Sequence, residues 1–181
     1  LARALRPLLA PGASDDGARR RASLVMERGV PTYAAPDRHD RVPIERCPAL
    51  HDRLQPALAA LAAARAPDGL RVRIACDDRL GAVLAVEEDL AVARAFVQAG
   101  GRGAVLTATE QRIGDPSLVG EVSAGRFPCV SDAGVFAQAT RFGGRAIVDE
   151  VLRAAAIGPG DRVLELFCGA GHLTAPLVAA G

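Results

Sequence analysis

The sequence predicts an α/β protein, and three observations carry that reading. Residues 70–130 alternate as strand, strand, helix, strand, strand, the order of a compact α+β unit. Residues 140–181 run helix, apolar strand, glycine turn, helix, the opening of a doubly wound parallel sheet. Half the residues are apolar but only six are aromatic (five Phe, one Tyr), so the core is expected from Leu, Val, Ala and Ile. The 181 residues suffice for one medium domain or two small units. The changes of rhythm divide them into 1–69, 70–130 and 131–181.

Each element has a local reason. LARALRPLLA (1–10) places Leu1, Leu5, Leu8 and Leu9 on one helical face before Pro11-Gly12 breaks it, and GASDDGARRR is a polar loop. RRASLVMERGVPTYAAPD (20–37) reads as two short strands joined at Arg28-Gly29. A brief extended piece to Arg46 precedes a helix from about His51 to Arg65, ended by Pro67 and Gly69. LRVRIAC (70–76) and LGAVLAVE (80–87) alternate as paired strands across Asp77-Asp78. Asp89 caps a helix carrying Leu90, Ala93, Phe96 and Val97, which Gly100-Gly101 stops. GAVLTAT (103–109) is a strand, with short strands expected near Ser117–Val122 and Arg126–Val130. Thr140 caps a helix with Ile147, Val148, Val151, Leu152 and Ala155 on one face, and Gly158-Pro159-Gly160 ends it. RVLELF (162–167) is apolar on both faces apart from Glu165, as in a buried parallel strand. A new helix begins near His172. One strand cannot close a parallel sheet, so this last unit reads as a truncated domain.

Charge and cysteine content exclude several classes. The formal net charge is +1, so no bulk field commits the chain to nucleic acid, and every basic residue is Arg. The longest Ala/Leu run, PALAALAAARA (56–66), is too short to span a bilayer and is broken by Arg65. No secretory segment opens the chain, and the expectation is a cytoplasmic monomer. Cys47, Cys76, Cys129 and Cys168 form no CxxC pair, so neither a zinc ribbon nor a disulfide framework is suggested. Cys76 and Cys129 read as core residues, His39 and His51 as surface or capping residues.

The glycine turn FCGAG carries the chemistry. Gly169 and Gly171 allow positive φ and let a ligand approach the main chain, and the following helix start favours an anion. The string fits neither GxGxxG nor a phosphate-binding loop. Glu165 in the strand suits an ammonium and ribose better than a diphosphate, which favours S-adenosylmethionine over NAD. The turn can also serve only to join strand to helix.

Three strings, taken together, resemble the class I RNA (uracil-5)-methyltransferases. LELFCGAGHLTAPL is similar to that family's S-adenosylmethionine loop, DAGVFAQAT (132–140) to its F-x-Q-x-N segment, and VPIERCPALHDRL (42–54) to its I-x-x-C-P-x-L-H stretch. They occur in the family's order from Arg20 to the end, and the bacterial 23S rRNA branch with an iron–sulfur cluster is the nearest likeness. The resemblance implies the start of a Rossmann-like methyltransferase domain preceded by an α+β central RNA-binding domain. It implies S-adenosylmethionine as cofactor, held by Gln138, Phe167, Gly169, Gly171 and His172. The family's Asn positions are occupied here by His172 and Thr140. It implies Cys47 as the last of four ligands to a [4Fe–4S] cluster, the other three lying upstream of Leu1. The partner implied is RNA, rRNA in the first place and tRNA in the second, with Arg71, Arg73, Arg102 and Arg112 as candidate phosphate contacts.

The implied chemistry is covalent catalysis: a cysteine thiolate adds to C6 of uracil, C5 attacks the methyl sulfonium, and a base removes the C5 proton. The family's nucleophile and base lie in later strands, beyond Gly181. No catalytic residue is therefore expected within this chain, and Cys168, in the cofactor loop, is not the nucleophile. Two other readings remain open on the residues: a non-catalytic RNA-binding module, and a small-molecule methyltransferase using the same loop.

Overall fold

Strand β1, Arg21–Glu27, alternates in burial, with Ala22, Leu24 and Met26 inward. It turns through Arg28 and Gly29, with φ 51° and 75°, into β2, Val30–Ala34. Positive φ at both central residues is the two-residue hairpin geometry whose twist matches the strands. The computed structural model describes residues 17–34, 40–122 and 127–181. The helix read over Leu1–Ala10, His39 and the expected strand start at Arg126 lie outside the described residues, as does the side chain of Cys129.

Seven strands form one sheet in the order β3-β2-β1-β4-β5-β6-β7. β3 is Arg41–Pro43, β4 Arg71–Ala75, β5 Val83–Val86, β6 Gly103–Leu106 and β7 Arg112–Gly114. All neighbours pair antiparallel except β5 and β6. That parallel step needs a crossover, which helix α2, Leu90–Gln98, supplies. Its cap is as expected, the Asp89 carboxylate accepting from Val92 N at 2.9 Å. β7 was not expected: a strand of three residues has too little alternation to be seen. The sheet is continuous through residues 69 and 70, because β1 pairs with β4 from Arg21↔Ala75 to Val25↔Arg71.

Helix α1, Gln55–Ala63, follows a short 3-10 turn, Asp52–Leu54, capped by His51. It lies with α2 on one face of the sheet. Leu54, Leu58, Leu61 and Phe96 pack there with Leu24, Met26, Val72, Ile74, Leu84 and Leu106. Phe96 is fully buried, and the rest of this core is aliphatic, as the composition requires. Cys76 is in it too. The opposite face is covered at one end only, where Ala75, Val83, Ala85 and Val105 meet Leu118 and Ala133. Leu118 belongs to a separate two-stranded ribbon, β8 (Leu118–Val122) with β9 (Phe127–Ser131).

A buried carboxylate joins ribbon and sheet. Asp77, 4 % exposed, accepts from Arg102 Nη1 and Arg79 Nη2, both at 2.8 Å, and from the amides of Val119 and Arg79, both at 2.9 Å. Burial would raise this carboxyl, but the hydrogen bonds from Arg102, Arg79 and the two amides outweigh it and hold it well below the usual carboxylate range.

Helices α3, Arg141–Ala155, and α4, Thr174–Ala180, complete the fold. Thr140 caps α3 as expected, its Oγ1 accepting from Gly143 N at 3.1 Å. Residues 162–167 correct the sequence reading: they form no strand, and Leu164, Leu166 and Phe167 are 84 %, 71 % and 102 % exposed. A strand exists only through a neighbour's hydrogen bonds, and among the described residues none lies beside this segment.

Asp77→Ala removes a partner from two guanidinium groups and two amides. It is expected to lower the unfolding free energy at neutral pH by about 3 kcal/mol, measured by urea denaturation. Because the folded-state pKa lies below an unfolded value of roughly 3.9, the wild-type advantage is present above that pH and fades as the solution is acidified further.

Candidate functional site

Two backbone-directed contacts, from Arg20 and from Arg21 at the start of β1, bring the residues preceding α3 to the sheet. Arg21 Nη1 donates to Val135 O at 2.6 Å, and Arg20 N donates to Ala139 O at 2.8 Å. Arg73 Nη1, on β4, donates to Gly134 O at 2.7 Å. Asp132, 8 % exposed, folds the same loop on itself, its Oδ1 accepting from Gly134 N at 2.7 Å and Val135 N at 3.2 Å. Gln138 is held between these anchors, with its side chain exposed and no hydrogen-bond partner among the described residues.

The glycine bend meets it. Gln138, Ala170 and His172 line one hollow of about 80 Å³ with Arg20, Arg21 and Arg141. The bend is closed by Gly171 N donating to Cys168 O at 2.9 Å, with φ of 54° at Gly169 and 78° at Gly171. At Gly144 in α3 a Cβ would lie 2.9 Å from His172 Nε2 and 3.6 Å from Gln138 Cβ. Only a bare backbone lets the imidazole seat there. Glycine at this helix position is thus the local signal that the sequence reading missed.

The other expected residues divide. Phe167 is fully exposed, with φ 61°, and does not line the hollow. Glu165 is engaged by the protein itself, accepting from Thr174 Oγ1 at 2.5 Å at the start of α4. Arg102, expected as a phosphate contact, is committed to Asp77, with a side chain only 12 % exposed. Arg112 reaches Asp132 Oδ2 at 3.3 Å, while Arg71 has no partner among the described residues.

Burial, and then the nearby Arg21 charge, lower the pKa of His172, so the ring is neutral near pH 7. Burial also lowers that of Arg21, partly offset by Asp132. The hollow thus presents a carboxamide, a neutral imidazole and a guanidinium whose hydrogen bonds go to two carbonyls and the Ser131 hydroxyl. That donor set suits the carboxylate and amine of an amino acid. Its volume is far below the roughly 300–1,000 Å³ of whole-ligand pockets. The set fits the methionine end of S-adenosylmethionine and not the nucleoside.

Cys47 is half-buried, its amide donating to Gln55 Oε1 at 3.3 Å and its carbonyl accepting from Gln55 Nε2 at 2.6 Å. Among the described residues no group of three or more His, Cys, Asp or Glu could hold a metal. A [4Fe–4S] cluster needs four thiolates, so the described residues do not fit one.

Fold and hollow together define a mixed α/β protein built on one seven-stranded sheet. The chain superposes on the structure of Pyrococcus abyssi tRNA (uracil-54, C5)-methyltransferase in complex with S-adenosyl-L-homocysteine with a TM-score of 0.65 and 13 % identity. The match covers 95 % of this chain and 50 % of that one, and at this identity it is a likeness of fold. Over 44 residues the chain is 50 % identical to the 23S rRNA (uracil(1939)-C(5))-methyltransferase RlmD of Alkalilimnicola ehrlichii, covering 24 % of this chain and 10 % of that protein. The chain therefore spans half the length of the solved structure and a tenth of the curated relative. No protein-family profile matches it. The similarity to RNA uracil-C5 methyltransferases is thus present in sequence over a short stretch and in fold over nearly the whole chain.

Gly144→Ala tests the seating of the ring. Alanine favours the helix by about 1 kcal/mol over glycine, so the fold is expected to survive. The displaced His172 should then titrate closer to the ordinary imidazole range than in wild type, followed by NMR of the ring protons.

Proposed function

We propose that the protein acts in the S-adenosylmethionine-dependent methylation of C5 of a uridine in RNA, with 23S rRNA as substrate. Residues 1–181 would supply the amino-acid end of the cofactor site, Gln138, Gly169, Gly171 and His172 contributing to it. The observation that carries this reading is the common hollow of Gln138, Ala170 and His172.

When bound, S-adenosylmethionine supplies an electrophilic methyl group on its sulfonium. Gln138 can accept from an ammonium through its carbonyl and donate to a carboxylate through its NH₂. The neutral His172 ring keeps one N–H donor and one acceptor at the same place. Arg21, on the wall of the hollow, favours the carboxylate electrostatically.

The nucleophile is proposed to lie outside residues 1–181. Burial pushes the Cys76 thiol up to about 11, leaving almost no thiolate at neutral pH. Cys47 packs against the core. Cys168 is exposed and sits in the bend itself, its carbonyl accepting from Gly171 N. The protein is proposed to work as a cytoplasmic monomer. Among the described residues no helix is long and apolar enough to cross a membrane.

Two measurements test the reading. Calorimetric titration of the 181-residue chain with S-adenosylmethionine is expected to give little or no heat, because a hollow of about 80 Å³ grips only one end of the ligand; micromolar binding would overturn the assignment of a partial site. In the product of the whole coding sequence, Gln138→Ala is expected to raise KM for S-adenosylmethionine about tenfold, the worth of one charge-assisted hydrogen bond. Absence of C5-methyluridine after incubation with 23S rRNA would defeat the functional proposal.

A further inference from the structure

The open part of the sheet face opposite α1 and α2 carries a groove of about 620 Å³. The β1–β4 register sets Ser23 beside Arg73 and Val25 beside Arg71, on the side away from Leu24 and Val72. Arg41 reaches the groove from β3, so three arginines line it against one carboxylate, Glu87. That is a local excess of positive charge on a chain whose net charge is only +1. Arg41 and Arg71 are exposed and have no hydrogen-bond or ion-pair partner among the described residues. Five arginines elsewhere are paired with carboxylates: Arg79 and Arg102 with Asp77, Arg20 and Arg141 with Asp78, Arg153 with Glu150.

This groove does not stop at the sheet. Ser23 and Arg73 also line a second hollow of about 480 Å³, which adds Arg19 and Arg21 and ends at Gln138. Arg21 and Gln138 in turn line the small hollow with His172. Three concavities that share lining residues lie in succession between Arg41 and the glycine bend. Along this path cationic side chains recur, with Ser23, Val25, Ala133 and Phe136 among the residues between them. Recurrent guanidinium groups on a shallow floor fit a chain of phosphodiesters better than a compact ligand.

We propose that this path is the track along which the RNA backbone lies, Arg41 and Arg71 taking phosphates at its far end and Arg73 and Arg19 those nearer Gln138. The inference rests on the RNA reading above. It adds the direction from which the strand approaches the cofactor hollow and the residues that guide it. Neither Arg41 nor Arg19 stood out in the sequence, since arginine occurs throughout.

The test uses fluorescence anisotropy with a labelled single-stranded RNA oligonucleotide, the 181-residue chain and three variants. Arg41→Glu/Arg71→Glu is expected to weaken binding about tenfold or more and to reduce the slope of log affinity against log salt by about one per arginine. Arg71→Lys keeps the charge and should bind nearly as wild type. Arg94→Glu makes the same kind of charge change on α2, whose helix packs on the other face, and should leave binding unchanged. Thermal melts by circular dichroism confirm that each variant is folded. Wild-type binding with equal losses in the Arg94 and the double variant would overturn the track and leave the RNA reading standing. Wild type that binds no RNA would overturn both.

Discussion

The ladder between β1 and β4 is the constraint on which the rest of the molecule depends. It joins residues some fifty positions apart in sequence, from Arg21↔Ala75 to Val25↔Arg71. Because side chains alternate along a strand, this one register settles both faces of the sheet. Leu24, Met26, Val72 and Ile74 go to the helices and make the core. Arg21, Ser23, Arg71 and Arg73 go to the other side. A slip of one residue would bury guanidinium groups and expose the core, so the apolar face enforces the polar one.

The polar face then positions the candidate site from a distance. Arg21 and Arg73 donate to carbonyls of Val135 and Gly134, which a loop of that length cannot satisfy by itself. Gln138 follows three residues after Val135, and Ala139 is fastened again by the Arg20 amide. The glycine bend, which follows α3 in the chain, returns to the first turn of that helix, where Gly144 makes room for the His172 ring. The hollow is therefore assembled from β1, the loop before α3, α3 itself and the segment before α4. No one of these contains it.

Two groups of arginines have different surroundings. Asp77 and Asp78 absorb five arginines or their backbone neighbours into a structural network: Arg79 and Arg102 on the first, Arg20, Arg141 and, through the Asp78 carbonyl, Arg53 on the second. This network holds ribbon, sheet and α3 together at one edge. The arginines of the open face are left largely unneutralised, which gives that face a chemistry the nearly neutral composition conceals.

Local structure was legible where a single stretch carries its own reason. The Arg28-Gly29 turn, the Asp89 and Thr140 caps, the strands at 71–75 and 83–86 and the aliphatic core all follow from spacing, capping groups and turn residues within a few positions of one another. The FCGAG bend was legible too, from its two glycines. Tertiary structure decided what no short window contains. It paired β1 with β4 across residue 70, committed Arg102 to a buried carboxylate and Glu165 to Thr174, and left 162–167 without a partner strand. It also brought Gln138 and His172 to one wall. The physical reason is the same in each case: hydrogen bonds and packing between distant segments depend on where the whole sheet places them, whereas caps and turns depend only on the residues beside them.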